Sequence, residues 1–269
     1  MTKILFAISA AIGAIHLAHA LTLDRKIQYL NILVKDKKIS NELNGCRIAF
    51  ITDTHSTSAK TLRSIVKQLN NKTIDLLLLG GDYHKDAFEM WRTMEILSSV
   101  QTNDGIFGIE GNHDNPQKLQ AAMNFYGIRK LNNTGIHVRP RLFVGGTSCI
   151  RRVHPLQANI SDTVASAKAD DFVILLTHEP DTTMKESTKG IDLILSGHTH
   201  GGQVTLFGIW APALTLVRRI TKYGQRFMSG WAKSADDTTV FVSNGVGHHL
   251  IRIFSRPQVV VFELKTADI

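Results

Sequence analysis

Cysteine is scarce in this chain of 269 residues, which contains only Cys46 and Cys149. The two lie far apart in sequence, so they match neither a zinc-site spacing nor a disulfide framework of the kind that staples small secreted domains. We expect both to be thiols, which favours a reducing compartment. Internal repeats and low-complexity tracts are also missing, so we expect one large domain with its own core.

A stripe of basic residues interleaved with aromatic residues is absent as well, and this argues against a nucleic-acid-binding surface. The net charge is nevertheless +8 and the pI is about 9.5. Positive charge favours anionic partners, either phosphate groups or an acidic membrane surface. A soluble surface with an excess of lysine would give the same net charge.

The N-terminal residues 4–23 carry no formal charge. Twenty helical residues span about 30 Å, roughly the thickness of a bilayer core, although His16 and His19 interrupt the apolar run. A retained membrane anchor fits this pattern. So does a cleaved signal peptide, with Lys3 before the run and Ala18-His19-Ala20 as the cleavage site. A third alternative is a soluble helix packed on the domain.

The distribution of basic residues favours the anchor. Only Lys3 precedes the apolar run, and after it come Arg25, Lys26, Lys35, Lys37 and Lys38. Because basic residues stay on the cytoplasmic side, we expect a protein associated with the inner membrane whose C-terminal domain faces the cytoplasm. Export after signal cleavage is the alternative. The polar, lysine-rich residues 24–45 are predicted to be a linker.

From residue 46 onward, apolar runs alternate with helical periodicity. Strands are predicted at residues 47–52, 74–79, 105–109, 142–145, 172–176, 193–195, 239–242 and 259–263. Helices are predicted at residues 60–69, 87–97 and 116–126, the last with Asn115 as its cap. This alternation predicts a layered α/β fold in which two sheets pack face to face with helices outside.

Five polar clusters follow apolar runs that are predicted to be strands. They are Asp53-Thr54-His55, Gly80-Gly81-Asp82, Gly111-Asn112-His113-Asp114, Thr177-His178 and Gly197-His198-Thr199-His200-Gly201-Gly202-Gln203. Hard oxygen and imidazole donors at strand ends are what a two-metal hydrolytic centre needs. In an extended chain, the two donors of Asp-x-His and of His-x-His would point to the same face.

Single residues in these clusters have ordinary alternatives. Asp82 could cap a helix, although a carboxylate at the end of an apolar strand is costly to bury unless positive charge meets it. His113 can protonate a leaving oxygen near neutral pH, and the carboxylate of Asp114 would fix its tautomer. His178 alone is typical of a polar residue after a strand. The full set at five strand ends favours a metal centre.

The ordered set D-x-H, G-D, G-N-H-D, H and G-H-T-H resembles the calcineurin-like metallophosphoesterase superfamily. Residues 177–181, 197–203, 243–247 and 256–259 resemble its YaeI/YkuE branch, which includes UDP-diacylglucosamine pyrophosphatase-like members. The resemblance covers residues 46–264, so residues 46–269 are expected to form one metallophosphoesterase domain, a four-layer sandwich of two mixed sheets flanked by helices. Thr57 stands where the superfamily often has glycine.

The resemblance implies a centre of two divalent cations. Mn²⁺ suits the mixed oxygen and nitrogen donors, with Fe, Zn or Co as alternatives. The implied roles are Asp53, His55 and His200 on the first cation, Asn112, His178 and His198 on the second, Asp82 between them, His113 as the general acid or phosphate contact, and Asp114 as its orienting carboxylate. The activity implied is hydrolysis of a phosphodiester or pyrophosphate by metal-activated hydroxide.

An apolar segment, residues 207–217, follows the last cluster and leads into the basic residues 218–222. Apolar and basic residues together favour the headgroup zone of a membrane, whereas a packed loop with a basic rim would look similar. Together with the anchor, this segment leads us to expect a lipid-linked phosphate or pyrophosphate as substrate. The resemblance to UDP-diacylglucosamine pyrophosphatase-like members implies UDP-diacylglucosamine of lipid A synthesis as the specific candidate. A general or exported phosphodiesterase acting on small diesters is the alternative. A metal-binding scaffold without catalysis is a third, from a different class.

Overall fold

A computed structural model describes residues 2–84, 86–150, 157–247 and 251–267 of the chain. The helices within these ranges are α1 (Thr2–Thr22), α2 (Ala59–Asn70), α3 (Ala87–Ser98), α4 (Pro116–Phe125), α5 (Ile160–Val164) and α6 (Pro212–Leu216). The strands are β1 (Gln28–Asp36), β2 (Arg47–Ile51), β3 (Leu76–Leu79), β4 (Ile106–Gly108), β5 (Arg129–Lys130), β6 (Thr134–Arg139), β7 (Leu142–Gly146), β8 (Phe172–Leu176), β9 (Leu193–Ser196), β10 (Gly230–Lys233), β11 (Thr239–Val242) and β12 (Gln258–Thr266).

The strands form two six-stranded mixed sheets. The first has the order β1-β12-β2-β3-β4-β5 and is parallel except between β12 and β2. The second has the order β10-β11-β9-β8-β7-β6, with antiparallel pairs at its two ends. The facing sides meet in a buried core that includes Phe50, Leu78, Val144, Ile174 and Phe262. The predicted α/β fold of two packed mixed sheets is confirmed.

Helices cover the outer faces and complete four layers. The side chains that α2 buries are those that the periodicity of residues 60–69 predicts, and they pack with α3 and α4 on the first sheet. Asn115 caps α4 as expected, because its side chain accepts a hydrogen bond from the Lys118 N–H at 3.0 Å. The second sheet is covered by the short α5 and by 3-10 turns, including one at residues 224–227.

The prediction of a linker at residues 24–45 is wrong. Gln28–Asp36 forms β1, which pairs in parallel with β12 along its whole length. Ile39 and Leu43 are buried in the core between the sheets. The segment is hard to recognise because β1 lies at the edge of its sheet. Its side chains alternate between half-buried and exposed positions, and this leaves room for the lysines that made it look like a linker.

Helix α1 leaves the domain and is mostly exposed. The span Ile4–Arg25 is long and apolar enough to cross a membrane, and only 6% of its most apolar window is buried. A signal sequence near an N-terminus has the same properties. The C-terminal end of α1 is attached to the domain, since the His19 ring stacks on Phe254 with centroids 3.8 Å apart and His19 Nδ1 lies 2.7 Å from Asp24 Oδ2.

Candidate metal centre

The polar clusters converge at one edge of the sandwich. The strands β2, β3, β8 and β9 each end just before a cluster, and the carboxyl ends of parallel strands meet at the same side of a sheet. The structure brings together two groups of three buried residues. They are Asp53, His55 and His200 in the first group, and Asp82, His178 and His198 in the second, and the donor atoms within each group lie within 4.8 Å of one another.

The backbone at these positions is not extended. Positive φ angles occur at Asp53 (53°), His55 (36°), Asp82 (57°), His198 (71°) and His200 (53°). The expectation that strand-like alternation aligns the donors is therefore wrong, although the donors do converge. At each of these positions the backbone adopts a left-handed conformation after the strand has ended, which is uncommon for residues other than glycine. Backbone strain of this kind persists where the surrounding structure holds it, and it clusters at functional sites.

Glycines allow the loops to approach the two carboxylates closely. A Cβ atom at Gly197 would collide with the side chain of Asp53, and one at Gly111 would collide with Asp82. Any larger residue at either position would push the carboxylate away from its group. The glycines of the motifs are therefore required by packing around the donors.

In the first group, two imidazole nitrogens face a common point. His55 Nε2 and His200 Nε2 are 3.0 Å apart, and they lie 3.9 and 3.5 Å from Asp53 Oδ1. Two hydrogen bonds hold the Asp53 carboxylate in place. Thr52 Oγ1 donates to Oδ2 at 2.8 Å, and the His198 N–H donates to the same atom at 3.0 Å. The donor positions are thus fixed by the protein itself.

In the second group, hydrogen bonds to main-chain carbonyls fix the orientation of the histidine rings. His178 Nδ1 donates to Gly80 O at 2.8 Å, so Nε2 is the nitrogen left to bind a cation. His198 Nε2 donates to Ile220 O at 2.9 Å, so Nδ1 is the nitrogen left to bind a cation. Such bonds orient imidazole ligands in metalloproteins. Asn112, predicted to be a ligand of the same cation, is adjacent, with Oδ1 3.2 Å from His178 Nε2.

Asp82 lies between the two groups. Its Oδ2 is 3.6 Å from His55 Nε2 and 3.3 Å from His178 Nε2. Its other oxygen, Oδ1, accepts a hydrogen bond from the backbone N–H of His113 at 2.8 Å. Asp86 caps α3, so the helix-capping alternative for Asp82 does not apply. One carboxylate oxygen therefore faces donors of both groups.

The expected pairing of Asp114 with the His113 ring is not what the structure shows. The buried carboxylate of Asp114 accepts hydrogen bonds from the backbone N–H groups of Gly111 (2.8 Å), Asp82 (2.8 Å) and Tyr83 (2.9 Å). These bonds tie the loop that carries Asn112 to the loop that carries Asp82. The His113 side chain is exposed at the same edge. Asp114 therefore stabilises the site by joining the two loops, because its carboxylate oxygens accept hydrogen bonds from main-chain N–H groups of both.

The electrostatics of the cluster favour bound cations. Burial, together with the charge of Asp82, raises the pKa of Asp53 to about 6 and that of Asp114 to about 7. Burial opposes the ionised form of Asp82 too, but the neighbouring His178 and His55 outweigh it and lower its pKa. The charge of Asp82 in turn raises the pKa of His178 above its usual value, although burial acts in the opposite direction. Carboxylate and imidazole donors in two adjoining groups fit two divalent cations.

The two groups open into one cavity of roughly 510 Å³. One wall consists of residues from the polar clusters, including Asp82, Asn112, His113, His198 and His200. The other wall includes Ala213, Arg219 and Ile220, which belong to the apolar and basic segment after the last cluster. The cavity therefore places part of this segment beside the polar clusters.

Sequence reasoning missed Arg252. This residue is only 4% exposed, and its guanidinium donates to the carbonyls of His200 (3.3 Å), Ser255 (3.0 Å), Asn244 (2.8 Å) and Gly247. Burial lowers its pKa to about 10. An arginine inside the apolar run 251–254 is the one signal that could have indicated it. Its partners are main-chain carbonyls, of nearby residues and of the distant His200, and no side-chain motif marks them.

The model of the calcineurin-like phosphoesterase family matches residues 46–202. An uncharacterized metallophosphoesterase of Helicobacter pylori strain J99 is 27% identical over 221 residues, 78% of this chain and 56% of that protein. The chain thus spans little more than half the length of that relative. The Bacillus subtilis metallophosphoesterase YkuE is 25% identical over 251 residues, 87% of this chain and 84% of that protein. A zebrafish (Danio rerio) transmembrane protein with metallophosphoesterase domain is 24% identical over 260 residues, 88% of this chain and 57% of that protein.

The family match covers more than half of the chain and contains every residue that is expected to bind a metal. It agrees with the two-sheet fold and with the two groups of potential metal ligands at its edge. The resemblance at the level of the superfamily is confirmed. The chain belongs to the calcineurin-like phosphoesterase family.

Proposed function

We propose that this chain hydrolyses a phosphodiester or pyrophosphate bond of a membrane-associated substrate at a centre of two divalent cations. The observation that carries the proposal is the position of Asp82 Oδ2, which lies 3.6 Å from His55 Nε2 and 3.3 Å from His178 Nε2. Two cations held close together need one shared anion, and this oxygen faces both donor groups.

The proposed ligands follow the two groups. Asp53, His55 and His200 would hold the first cation, His178, His198 and Asn112 would hold the second, and Asp82 would bridge them. Mn²⁺ is the favoured metal because both sets mix oxygen and nitrogen donors. When bound, the two cations supply polarisation of the phosphoryl oxygens and activation of a water molecule.

The protein supplies orientation and a proton. The hydrogen bonds of Thr52, Gly80 and Ile220 fix the donor atoms before a substrate arrives, so little reorganisation is needed during the reaction. His113 is exposed beside the donors, and its backbone N–H is fixed to Asp82 Oδ1. We assign it the role of donating a proton to the leaving oxygen, which imidazole can do near neutral pH. Asp114 positions the loops on either side.

A lipid-linked phosphate or pyrophosphate is the proposed substrate class, with UDP-diacylglucosamine as the specific candidate. The apolar wall of the cavity suits a lipid chain or its linkage, and Arg219 in the same wall suits a phosphate. The exposed apolar helix α1 supports retention at a membrane. The zebrafish relative is also described as a transmembrane protein. A small soluble diester would contact only the cavity wall formed by the polar clusters, which we call the metal wall.

We further propose that α1 is retained as an anchor and that the catalytic domain faces the cytoplasm. Cleavage after Ala20 would remove the stacking of His19 on Phe254, and Ala20 itself is buried at 3% exposure. The basic residues that follow α1, including Arg25 and Lys26, support the cytoplasmic orientation. Export after cleavage, with activity on small diesters, is the competing proposal.

The test is a product analysis by mass spectrometry. The full-length chain is purified in detergent, loaded with Mn²⁺, and offered UDP-diacylglucosamine and bis(4-nitrophenyl) phosphate in water enriched in ¹⁸O. We expect rapid UMP release with one ¹⁸O atom in a phosphate product, and slower diester cleavage. Diester cleavage without UMP release would contradict the lipid-linked substrate. Tight metal binding with no turnover on either compound would contradict hydrolysis and indicate a scaffold.

A further inference from the structure

The apolar segment beside the metal cavity presents large side chains to solvent. We call the six residues Leu206, Phe207, Ile209, Trp210, Leu216 and Val217 the apolar rim; all six are exposed. Ile209 is 79% exposed and Leu216 is 77% exposed, while Ala211 and Leu214 between them are buried and hold the segment to the domain. A contiguous exposed apolar surface of this kind marks an interaction site.

The apolar rim lies directly against helix α1. The ring centroids of His16 and Phe207 are 4.6 Å apart, and those of Phe207 and Phe254 are 5.5 Å apart. Phe254 also contacts both His16 and His19 of α1. The neighbouring turn is tied to the base of the helix, since the Phe254 N–H donates to Asp24 Oδ2 at 2.8 Å. The rim and the last turns of α1 therefore form one continuous surface.

The length of α1 determines where this surface lies if the helix crosses a membrane. The helix has 21 residues. At about 1.5 Å per residue it reaches roughly 30 Å, so nearly its whole length is needed to cross the hydrocarbon core. His16 lies six residues before Thr22, the last residue of the helix, and this separation places it roughly 9 Å from that end. A side chain that contacts His16 must then lie within the bilayer as well. Phe207 has that contact.

Charge complementarity identifies the surface of the bilayer. The exposed basic residues Arg218, Arg219 and Lys222 follow the rim in sequence. Apolar side chains that enter the acyl region beside basic residues at headgroup level are typical of a surface that contacts anionic phospholipid. Arg219 also lines the metal cavity, so the same headgroup level coincides with the mouth of the site.

We propose that the apolar rim is a second membrane contact, inserted beside α1 into a bilayer that contains anionic phospholipid. The metal cavity then opens at the membrane surface and receives its substrate from the plane of the bilayer. This inference rests on the proposed retention of α1 and goes beyond it, because an anchor alone would leave the domain free in solution. Phe88 and Phe125 are equally exposed, at 75% and 73%, but lie on α3 and α4 and are not part of this surface.

The test measures how deeply Trp210 enters the bilayer. The full-length chain carrying Trp91→Phe and Trp231→Phe retains Trp210 as its only tryptophan. It is reconstituted into phosphatidylcholine and phosphatidylglycerol vesicles with bromine placed on the acyl chain near the headgroup. We expect at least twofold quenching of Trp210 emission relative to vesicles without bromine. Emission unchanged by bromine in protein that stays in the vesicles at alkaline carbonate would overturn the proposal.

A matched control uses the other exposed phenylalanines. A chain with Phe88→Trp as its only tryptophan is expected to show no quenching in the same vesicles. Equal quenching at both positions would indicate non-specific adsorption and overturn the assignment of the rim. Emission of Trp210 that depends on protein concentration in detergent, without quenching in vesicles, would replace the bilayer with a second copy of the chain.

The same preparation separates this proposal from the proposed function. Release of the protein from vesicles by carbonate would show that α1 is not retained in the bilayer, and the rim proposal would fall with it. Hydrolysis of bis(4-nitrophenyl) phosphate in detergent tests the metal centre independently of any membrane. Activity without Trp210 quenching would overturn only the rim, and quenching without activity would overturn only the hydrolytic function.

Discussion

The two walls of the cavity are stabilised in different ways. On the metal wall, donor side chains are buried, and hydrogen bonds such as those to Gly80 and Ile220 fix their positions. The other wall contains Ala213, Arg219 and Ile220, and the segment that supplies them also carries the exposed apolar rim, with Ile209 and Leu216 more than three-quarters accessible. One wall is complete in the isolated chain, whereas the other presents a surface that a partner would cover.

This difference indicates a division of labour. Preorganised donors lower the reorganisation required for chemistry, and this benefit does not depend on where the substrate comes from. An exposed apolar surface contributes nothing to the bond that breaks, but it controls which substrates reach the site and from which side. Substitutions on the two walls should therefore change different kinetic quantities, and the following predictions separate them.

The largest effect is expected from the donor that both groups share. Asp82→Ala should reduce turnover of any diester by at least as much as loss of a typical transition-state donor, on the order of 10²–10³-fold. Asn112→Ala should act in the same direction. Steady-state kinetics with Mn²⁺ and a circular dichroism spectrum check both variants. Asp170→Asn, which removes an exposed carboxylate 3.6 Å from Arg141, is the control and should retain full activity. Near-normal turnover of Asp82→Ala would contradict the assignment of Asp82 as the donor shared by both groups.

A smaller effect is expected behind the metal wall. Arg252→Lys keeps the charge but loses the planar fork that joins the carbonyls of His200, Asn244 and Ser255. Loss of a residue that orients a ligand typically weakens metal affinity about 10- to 100-fold. Competition with a fluorescent chelator measures that affinity directly. Arg226→Lys, at an exposed site that also donates to carbonyls, should leave it unchanged. Equal metal affinity in both variants would argue against a positioning role for Arg252.

The apolar rim should change KM rather than kcat. The variant Leu216→Ser is expected to raise KM for a lipid-linked substrate in vesicles about tenfold, since burial of one such side chain contributes about 1.5–3 kcal/mol and a factor of ten corresponds to about 1.4 kcal/mol. Hydrolysis of a soluble aryl diester should not change. The control variant Phe88→Ser and Phe125→Ser should affect neither substrate. A parallel loss on both substrates would mean that the rim supports the fold and not substrate capture.

The smallest effect concerns stability at a site away from both walls. Burial favours a higher pKa for Asp75, but hydrogen bonds from the Arg47 N–H, Asn103 and Arg139 outweigh it, so its pKa is lowered. A lowered pKa in the folded state means that this carboxylate stabilises the protein above the unfolded-state value of about 3.9, and that the contribution disappears as the pH falls through the folded-state pKa.

Asp75→Asn should therefore lower the Tm at pH 7 and lower it less at pH 3. The loss at pH 7 should be only about 2 °C, because the ion pair of Asp75 and Arg139 is partly exposed and screened. Differential scanning calorimetry at the two pH values measures this. Metal affinity and turnover at pH 7 should stay unchanged. This would show that the hydrogen bonds around Asp75 and Arg139 do not affect either wall of the cavity. A larger loss of Tm at pH 3 than at pH 7 would reverse the sign of the argument.

The central strands could be predicted from the sequence because both of their faces are buried. Runs such as residues 76–79 and 172–176 are continuously apolar, and the structure places them in the middle of the two sheets. The edge strands β1, β5, β6 and β10 were missed, because half-exposed strands tolerate polar and basic residues. Neither face of these strands is fully buried, so the alternation of apolar and polar residues that indicates a strand is weak in them.

The candidate donors could be predicted as a set, but their geometry could not. The structure brings Asp53, His55 and His200 into one group and Asp82, His178 and His198 into another, because residues at the ends of neighbouring strands lie close together. The left-handed turns and the role of Asp114 depend on main-chain hydrogen bonds between loops. Arg252 was missed for the same reason. A side-chain motif does not indicate which main-chain carbonyls accept hydrogen bonds from an arginine.

The pairing of β12 has a consequence for the biosynthesis of the protein. This strand lies between β1 and β2, so residues near 258 separate two strands that are translated early. The first sheet therefore stays incomplete until Gln258–Thr266 has left the ribosome. Pairing across such a long sequence separation is slow. During that interval β1 and one edge of β2 stay unpaired, and unpaired strand edges make a nascent chain prone to aggregation.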